Sequence, residues 1–88
     1  MKGQTGTIED FKGSWNSGIA FLTVKHEDGT TQLIYCDNAA TVRALDSLFG
    51  NVIGNDHTVN IEAIRGKKIA YCLDECGFVL AWIRGIEE

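Results

Sequence analysis

Two segments late in the chain, "IAYCL" (69–73) and "FVLAWI" (78–83), are apolar at every position. Read as strands, whose side chains alternate between two faces, such ribbons shun water on both sides and call for cover on both. A helix of about three turns covers only part of one face of a sheet. The remaining cover comes from rolling the sheet into a small barrel or from a second subunit. Leaving Val79, Ile83 and Ile34 in water would forgo about 1.5–3 kcal/mol each, a large share of a total stability of roughly 5–15 kcal/mol.

The rest of the chain supplies the partners for these ribbons. Gly6 to Phe11 reads as a first strand, and "KGSWNSG" (12–18) as a turn-rich loop carrying Trp15. "IAFLTVKH" (19–26) and "TQLIYC" (31–36) read as the second and third strands. Between them the Asp28-Gly29 pair is a hairpin signal, because glycine accepts positive φ without a Cβ clash. At "DNAATVRALDSLFG" (37–50) the apolar period changes from two to about 3.6, with Val42, Leu45, Leu48 or Phe49, and Val52 on one face. Asp37 or Asn38 can cap the start of this helix, and Gly50 supplies the left-handed residue that ends it. Arg43, Asp46 and Ser47 form its solvated side.

Three more strands are expected, from Thr58 to Arg65, from Lys67 to Asp74 and from Phe78 to Arg84, with turns at Gly66 and from Asp74 to Gly77. In the first of these, Val59, Ile61 and Ala63 face one way, with Asn60 and Glu62 opposite. The expected fold class is mainly β with one helix (α+β), in the order β-β-β-α-β-β-β, forming a small barrel or strongly bent antiparallel sheet. Eighty-eight residues suffice for one domain, 1–88. With 44% apolar and 23% charged residues, the composition is that of a folded chain rather than a disordered one.

The sequence carries little catalytic or ligand-binding chemistry. Cys72 and Cys76 flank Asp-Glu in "YCLDECGF", but a structural zinc site needs four ligands, and no second matched pair exists. The segment reads as a hairpin turn, with Asp74 opening it and Gly77 closing it. Cys36 lies just before a helix start, where thiolates gain stability, but Asp37 opposes that effect, and a buried structural thiol is the better reading. Adjacent carboxylates sit in turns or alternate across a strand, His26 and His57 lie in loops, and no nucleophile elbow, phosphate loop or dinucleotide fingerprint occurs. No enzyme activity, metal or cofactor is expected, and no residue points to a small-molecule ligand.

Partners follow from charge and apolar surplus. The net charge of -4 repels phosphate backbones and anionic membrane surfaces, so no membrane partner is expected. No apolar run has signal-peptide or membrane-spanning character, and an odd three cysteines fit reduced thiols, so a cytoplasmic location is expected. The leading expectation is a non-catalytic interaction or structural module that forms a homo-oligomer, a dimer first, through Val79, Ala81 and Ile83; another protein partner also fits.

The order of three strands, a helix and further strands resembles the OB-fold, though that fold has five strands where six are read here. The resemblance implies single-stranded nucleic-acid binding near the loops after strands one and four. In this sequence those loops carry Lys12 and Trp15, and Arg65, Lys67 and Lys68, which supply stacking and phosphate contacts. The acidic total charge weighs against that alternative.

Overall fold

A computed structural model describes residues 3–13, 18–54 and 59–86. Five strands form one antiparallel sheet: β1 (Gln4–Gly13), β2 (Ile19–Lys25), β3 (Thr31–Asp37), β4 (Lys68–Leu73) and β5 (Leu80–Gly85), in the order β3-β2-β1-β4-β5. A helix, α1 (Asn38–Phe49), joins β3 to the second half of the chain. The mainly β architecture with one helix is as expected.

The sheet is strongly bent, and β1 is its hinge. Residues 4–7 of β1 pair with β4, whereas residues 7–13 pair with β2, and a β-bulge falls at Glu9, between Ile8 and Asp10. A bulge bends the strand and increases its twist. The outer strands β3 and β5 are thereby brought together through one parallel bridge, Tyr35 with Val79, in which the Tyr35 N–H donates to the Phe78 carbonyl at 2.9 Å. The sheet is not closed beyond that bridge.

Inside the bend lies the core. Ile8, Leu22, Val24, Ile34, Ile69 and Tyr71 from the sheet and Leu45 from α1 are all fully buried, with Val52 and Ile64 beside them. β1 passes directly over Val24 at Gly6, where a Cβ would run into Val24 Cγ1. Any side chain there would overfill the core. The helix is built as its sequence suggests: the Asp37 carboxylate accepts the Ala40 N–H at 2.8 Å, and Gly50, with φ of 75°, ends it. Asp46, however, is not only solvated, since its Oδ1 accepts the Val52 N–H at 3.1 Å and ties down the chain after the helix.

One expected strand is absent. Thr58 lies outside the described residues; from Val59 onward the chain makes a single bridge to Ile53 and then a 3-10 turn, Ile61–Ala63. The deciding residue is Ile64, which is fully buried. In a strand it would face the same side as Asn60 and Glu62; in a three-residue period it falls on the side of Ile61. The helical turn buries Ile64 and packs the partly buried Ile61 against the core, so among the described residues five strands form instead of six.

The two-sided apolar ribbons fare differently from each other. β4 is covered on both sides: Ile69 and Tyr71 face the core, while Cys72, on the outer face, is 1% exposed beneath its cross-strand neighbour Trp82. β5 is not. A β-bulge at Ala81 lets both Leu80 and Ile83 pack against the core, but Trp82, Val79 and the preceding Phe78 remain exposed. Among the described residues the outer side of β5 is therefore left partly uncovered.

Candidate functional site

The segment from Cys72 to Cys76 runs from β4 into a tight hairpin turn. Asp74 N–H donates to the Val79 carbonyl at 2.8 Å, Gly77 N–H donates to the Asp74 carbonyl at 3.0 Å, and Gly77 adopts a φ of 79°. Cys72 is buried on the strand, Cys76 is exposed in the turn, and none of the three cysteines is in a disulfide. Among the described residues no three metal-binding side chains come together.

The prominent surface feature is the outer face of β2 and β3. Successive outward positions of β2 carry Ile19, Phe21, Thr23 and Lys25; those of β3 carry Leu33 and Tyr35, paired opposite Thr23 and Phe21. Phe21 and Tyr35 stack edge to face, with ring centroids 5.1 Å apart. Tyr35 bridges to Val79, which brings the exposed Val79 beside the patch, and the exposed Phe78, whose carbonyl accepts the Tyr35 N–H, precedes it. Ile19, Leu33 and Phe78 are the most open, at 57%, 53% and 63% exposure. A shallow depression of about 300 Å³, lined by Asp10, Lys12, Phe21, Thr23 and Leu33, borders it.

The residues singled out from the sequence are dispersed around this face. Val79 lies in the patch and Ala81 is exposed at the bulge, but Ile83 points the other way and packs on the core. They therefore do not form one surface: the bulge separates their directions. Lys12 stands beside the patch, opposite Phe21, 3.9 Å from the Asp10 carboxylate. Trp15 and His57 lie outside the described residues.

Arg65 is held away from the patch, donating from Nη1 to Glu62 at 3.0 Å and from Nε to the Glu9 carbonyl at 3.2 Å. Lys67 is an exposed turn residue whose carbonyl accepts the Ile8 N–H, and Lys68 sits on β4 opposite Thr7. The basic cluster expected after a fourth strand thus precedes the observed β4. The loop after β4 carries Asp74, Glu75 and Phe78 and is acidic. Lys12 and the Arg65–Lys68 stretch are not one contact surface with that loop.

Phe21, Leu33 and Tyr35 were missed by the sequence reading, although the signal was present. "IAFLTV" and "LIYC" are apolar on both faces just as the last two strands are. The argument applied to the end of the chain holds equally for β2 and β3.

A polar cluster plugs one end of the core. The Tyr71 hydroxyl lies 3.0 Å from Gln32 Oε1, 3.2 Å from His26 Nε2 and 3.4 Å from Gln4 Oε1, while His26 Nδ1 is 3.3 Å from the Thr5 carbonyl. Burial pushes the Tyr71 phenol above its ordinary value. Burial, aided by Asp37 and partly offset by a hydrogen bond from Thr41, likewise raises the Cys36 thiol. In both cases folding favours the neutral form, so the unfolded chain loses its proton first. The contribution is complete below the ordinary values of 9.0 for Cys36 and 10.0 for Tyr71 and falls away as pH rises past them. Urea midpoints are therefore expected to decline above about pH 9, with Tyr71→Phe flattening the upper part of the decline. A midpoint constant to about pH 11 in the parent chain contradicts this assignment.

Among the described residues no helix is long and apolar enough to cross a membrane. No family model matches the chain, and neither a curated protein nor a solved structure matches it.

Proposed function

We propose that this chain is a non-catalytic interaction module that pairs with a second copy of itself through the outer face of β2 and β3. The observation that carries the reading is the cluster of Ile19, Phe21, Leu33 and Tyr35 on the outer face of β2 and β3, with Phe78 and Val79 beside it, all 38–63% exposed. Aromatic side chains bury about 150–250 Å² when fully covered and aliphatic ones less, so the six at this exposure leave on the order of 500 Å² of surface open. That is near the upper end for a monomer. A standard interface covers about 800 Å² per partner and, in homodimers, is about two-thirds apolar. The patch is therefore of the size one half of a dimer supplies.

A polyanion is less well suited to this patch, because Lys12 beside it is paired with Asp10 and the adjoining β4–β5 loop is acidic. Three cysteines outside any disulfide accord with a reducing compartment, and we place the module in the cytoplasm on that ground. Sedimentation equilibrium over a micromolar concentration series tests the pairing. A mass twice 9.7 kDa is expected at the upper concentrations, and a strictly monomeric mass throughout removes the proposal.

A second reading has one observation of its own. In a chain of net charge -4, the outer sheet face carries Lys12, Lys25, Lys68 and Arg84 together with Phe21, Tyr35 and Trp82. Arg84 lies 4.8 Å from the centroid of the Trp82 ring. Five strands with β1 paired to both β2 and β4, and a helix directly after β3, also accord with the OB-like order. Cations interleaved with aromatic rings suit single-stranded nucleic acid. Titration with a single-stranded oligonucleotide at about 50 mM salt decides this, since backbone contacts are strongest at low salt; no binding there eliminates the reading.

A further inference from the structure

The outer face of β2 and β3 has a relief as well as an apolar surface. Antiparallel pairing sets its outward side chains in rows that run on into β1: Lys12, Phe21 and Tyr35 in one row, Asp10, Thr23 and Leu33 in the next. The rows lie about 7 Å apart, two residues along a strand. In the first, Phe21 stands up as a knob, held edge to face by Tyr35 with ring centroids 5.1 Å apart. In the second, the short Thr23 leaves a hole, the depression of about 300 Å³ that Phe21 of the same chain lines without filling. A closed cavity of about 150 Å³ takes a benzene ring, so the hole has room for one phenyl side chain.

Lys12 and Asp10 mark the same two rows with opposite charges. Their contact is loose, 3.9 Å between Nζ and Oδ2, and the Lys12 side chain is 81% exposed. Two copies that pack sheet on sheet, about 10 Å apart, are related by a two-fold axis lying between the sheets. An axis running along β2 would lay the charged β1 of each copy on the apolar β3 of the other, stripping water from charges without pairing them. An axis across the strands, centred on either row, would set Lys12 over Lys12 or Asp10 over Asp10. Centred midway between the rows, it sets Lys12 over Asp10, Phe21 over Thr23 and Tyr35 over Leu33, each pair occurring twice. Charge and shape thus select the same operation. A relative turn of about 30°, normal for packed sheets, leaves these neighbours within reach.

We infer that the second copy docks on this face in that one orientation, with Phe21 of each copy seated in the hole over Thr23 of the other and Lys12 of each facing Asp10 of the other. This orientation rests on the self-pairing proposed above and names the contacts that carry it. Asp10→Lys leaves two cations on the facing rows, and Lys12→Asp leaves two carboxylates. Alone, each variant sets like charges together, and each is expected to dimerise about tenfold more weakly than the parent, or worse, in sedimentation equilibrium.

Mixed in equal amounts, the two variants are expected to form a one-to-one heterodimer about as stable as the parent dimer, because every facing pair again has opposite signs. Glu27→Lys adds the same charge at the exposed β2–β3 turn, and it is expected to pair with Lys12→Asp no better than the parent chain does. Phe21→Ala removes the knob and Thr23→Phe fills the hole; each is expected to weaken dimerisation by roughly tenfold or more. Both positions lie on the outer side of β2, so the fold is retained. A dimeric parent whose charge variants gain nothing on mixing, or a Thr23→Phe dimer as tight as the parent's, overturns the orientation and leaves self-pairing standing. A parent that is monomeric throughout overturns both and leaves the face to a different partner.

Discussion

Leu45→Ala is expected to lower stability by about 2–5 kcal/mol, the range for truncating a buried leucine and leaving a partly collapsed cavity. Leu45 is fully buried where α1 meets the sheet, among side chains contributed by both halves of the bent strand array. For a domain of this size each kcal/mol moves Tm by roughly 4–8 °C, so a drop of more than about 10 °C should be plain in a thermal scan. Leu48, one helical turn on, is 39% exposed. Its replacement by alanine is expected to cost under about 1 kcal/mol, since little burial is lost and alanine favours the helix. Equal losses at the two positions would mean that the helix presents a different face to the sheet.

The second large effect concerns association. Leu33→Asp on the outer face of β3 and Phe78→Asp beside it each place a carboxylate within the proposed contact, where it would be buried without a partner. Desolvating an unpaired charge is severe, and interface hot spots commonly cost 2 kcal/mol or more, which is roughly a thirtyfold loss of affinity. Each variant is expected to sediment as a monomer at concentrations where the parent is a dimer. The fold should survive, because both side chains are more than half exposed in the single chain. Unchanged dimerisation in both variants would place the interface elsewhere, and loss of the circular dichroism signature would show that these residues support the monomer instead.

How far the sequence reached can be judged from particular segments. The Asp28-Gly29 hairpin, the Asp37 cap, the Gly50 stop and the turn from Asp74 to Gly77 were all legible, because each is decided by a few adjacent residues. In the first hairpin the Thr30 hydroxyl and N–H donate to Asp28 at 2.6 and 2.9 Å and hold its carboxyl below the ordinary value. The segment from Val59 to Arg65 was misread, since alternation over five residues also fits a period of three, and only the burial of Ile64 separates the two.

The candidate surface was harder to see for a related reason. A doubly apolar strand announces that something must cover it, without naming which side the rest of the chain will cover. Val79, Ala81 and Ile83 looked equivalent in sequence; one extra residue at the bulge turned Ile83 inward and left Val79 out. Phe21 and Tyr35 became neighbours only through the β2–β3 register, and Lys12 joined their row only through the β1–β2 pairing.

The sequence alone determined the local elements and the class of fold: where the chain turns, where it coils, and that its strands carry more apolar surface than one helix can hide. The tertiary structure alone decided which of that surface stays wet and which charges stand together. Turns and caps are set by short-range sterics and hydrogen bonds, whereas exposure in a bent sheet depends on bulges and on pairings between residues distant in the chain.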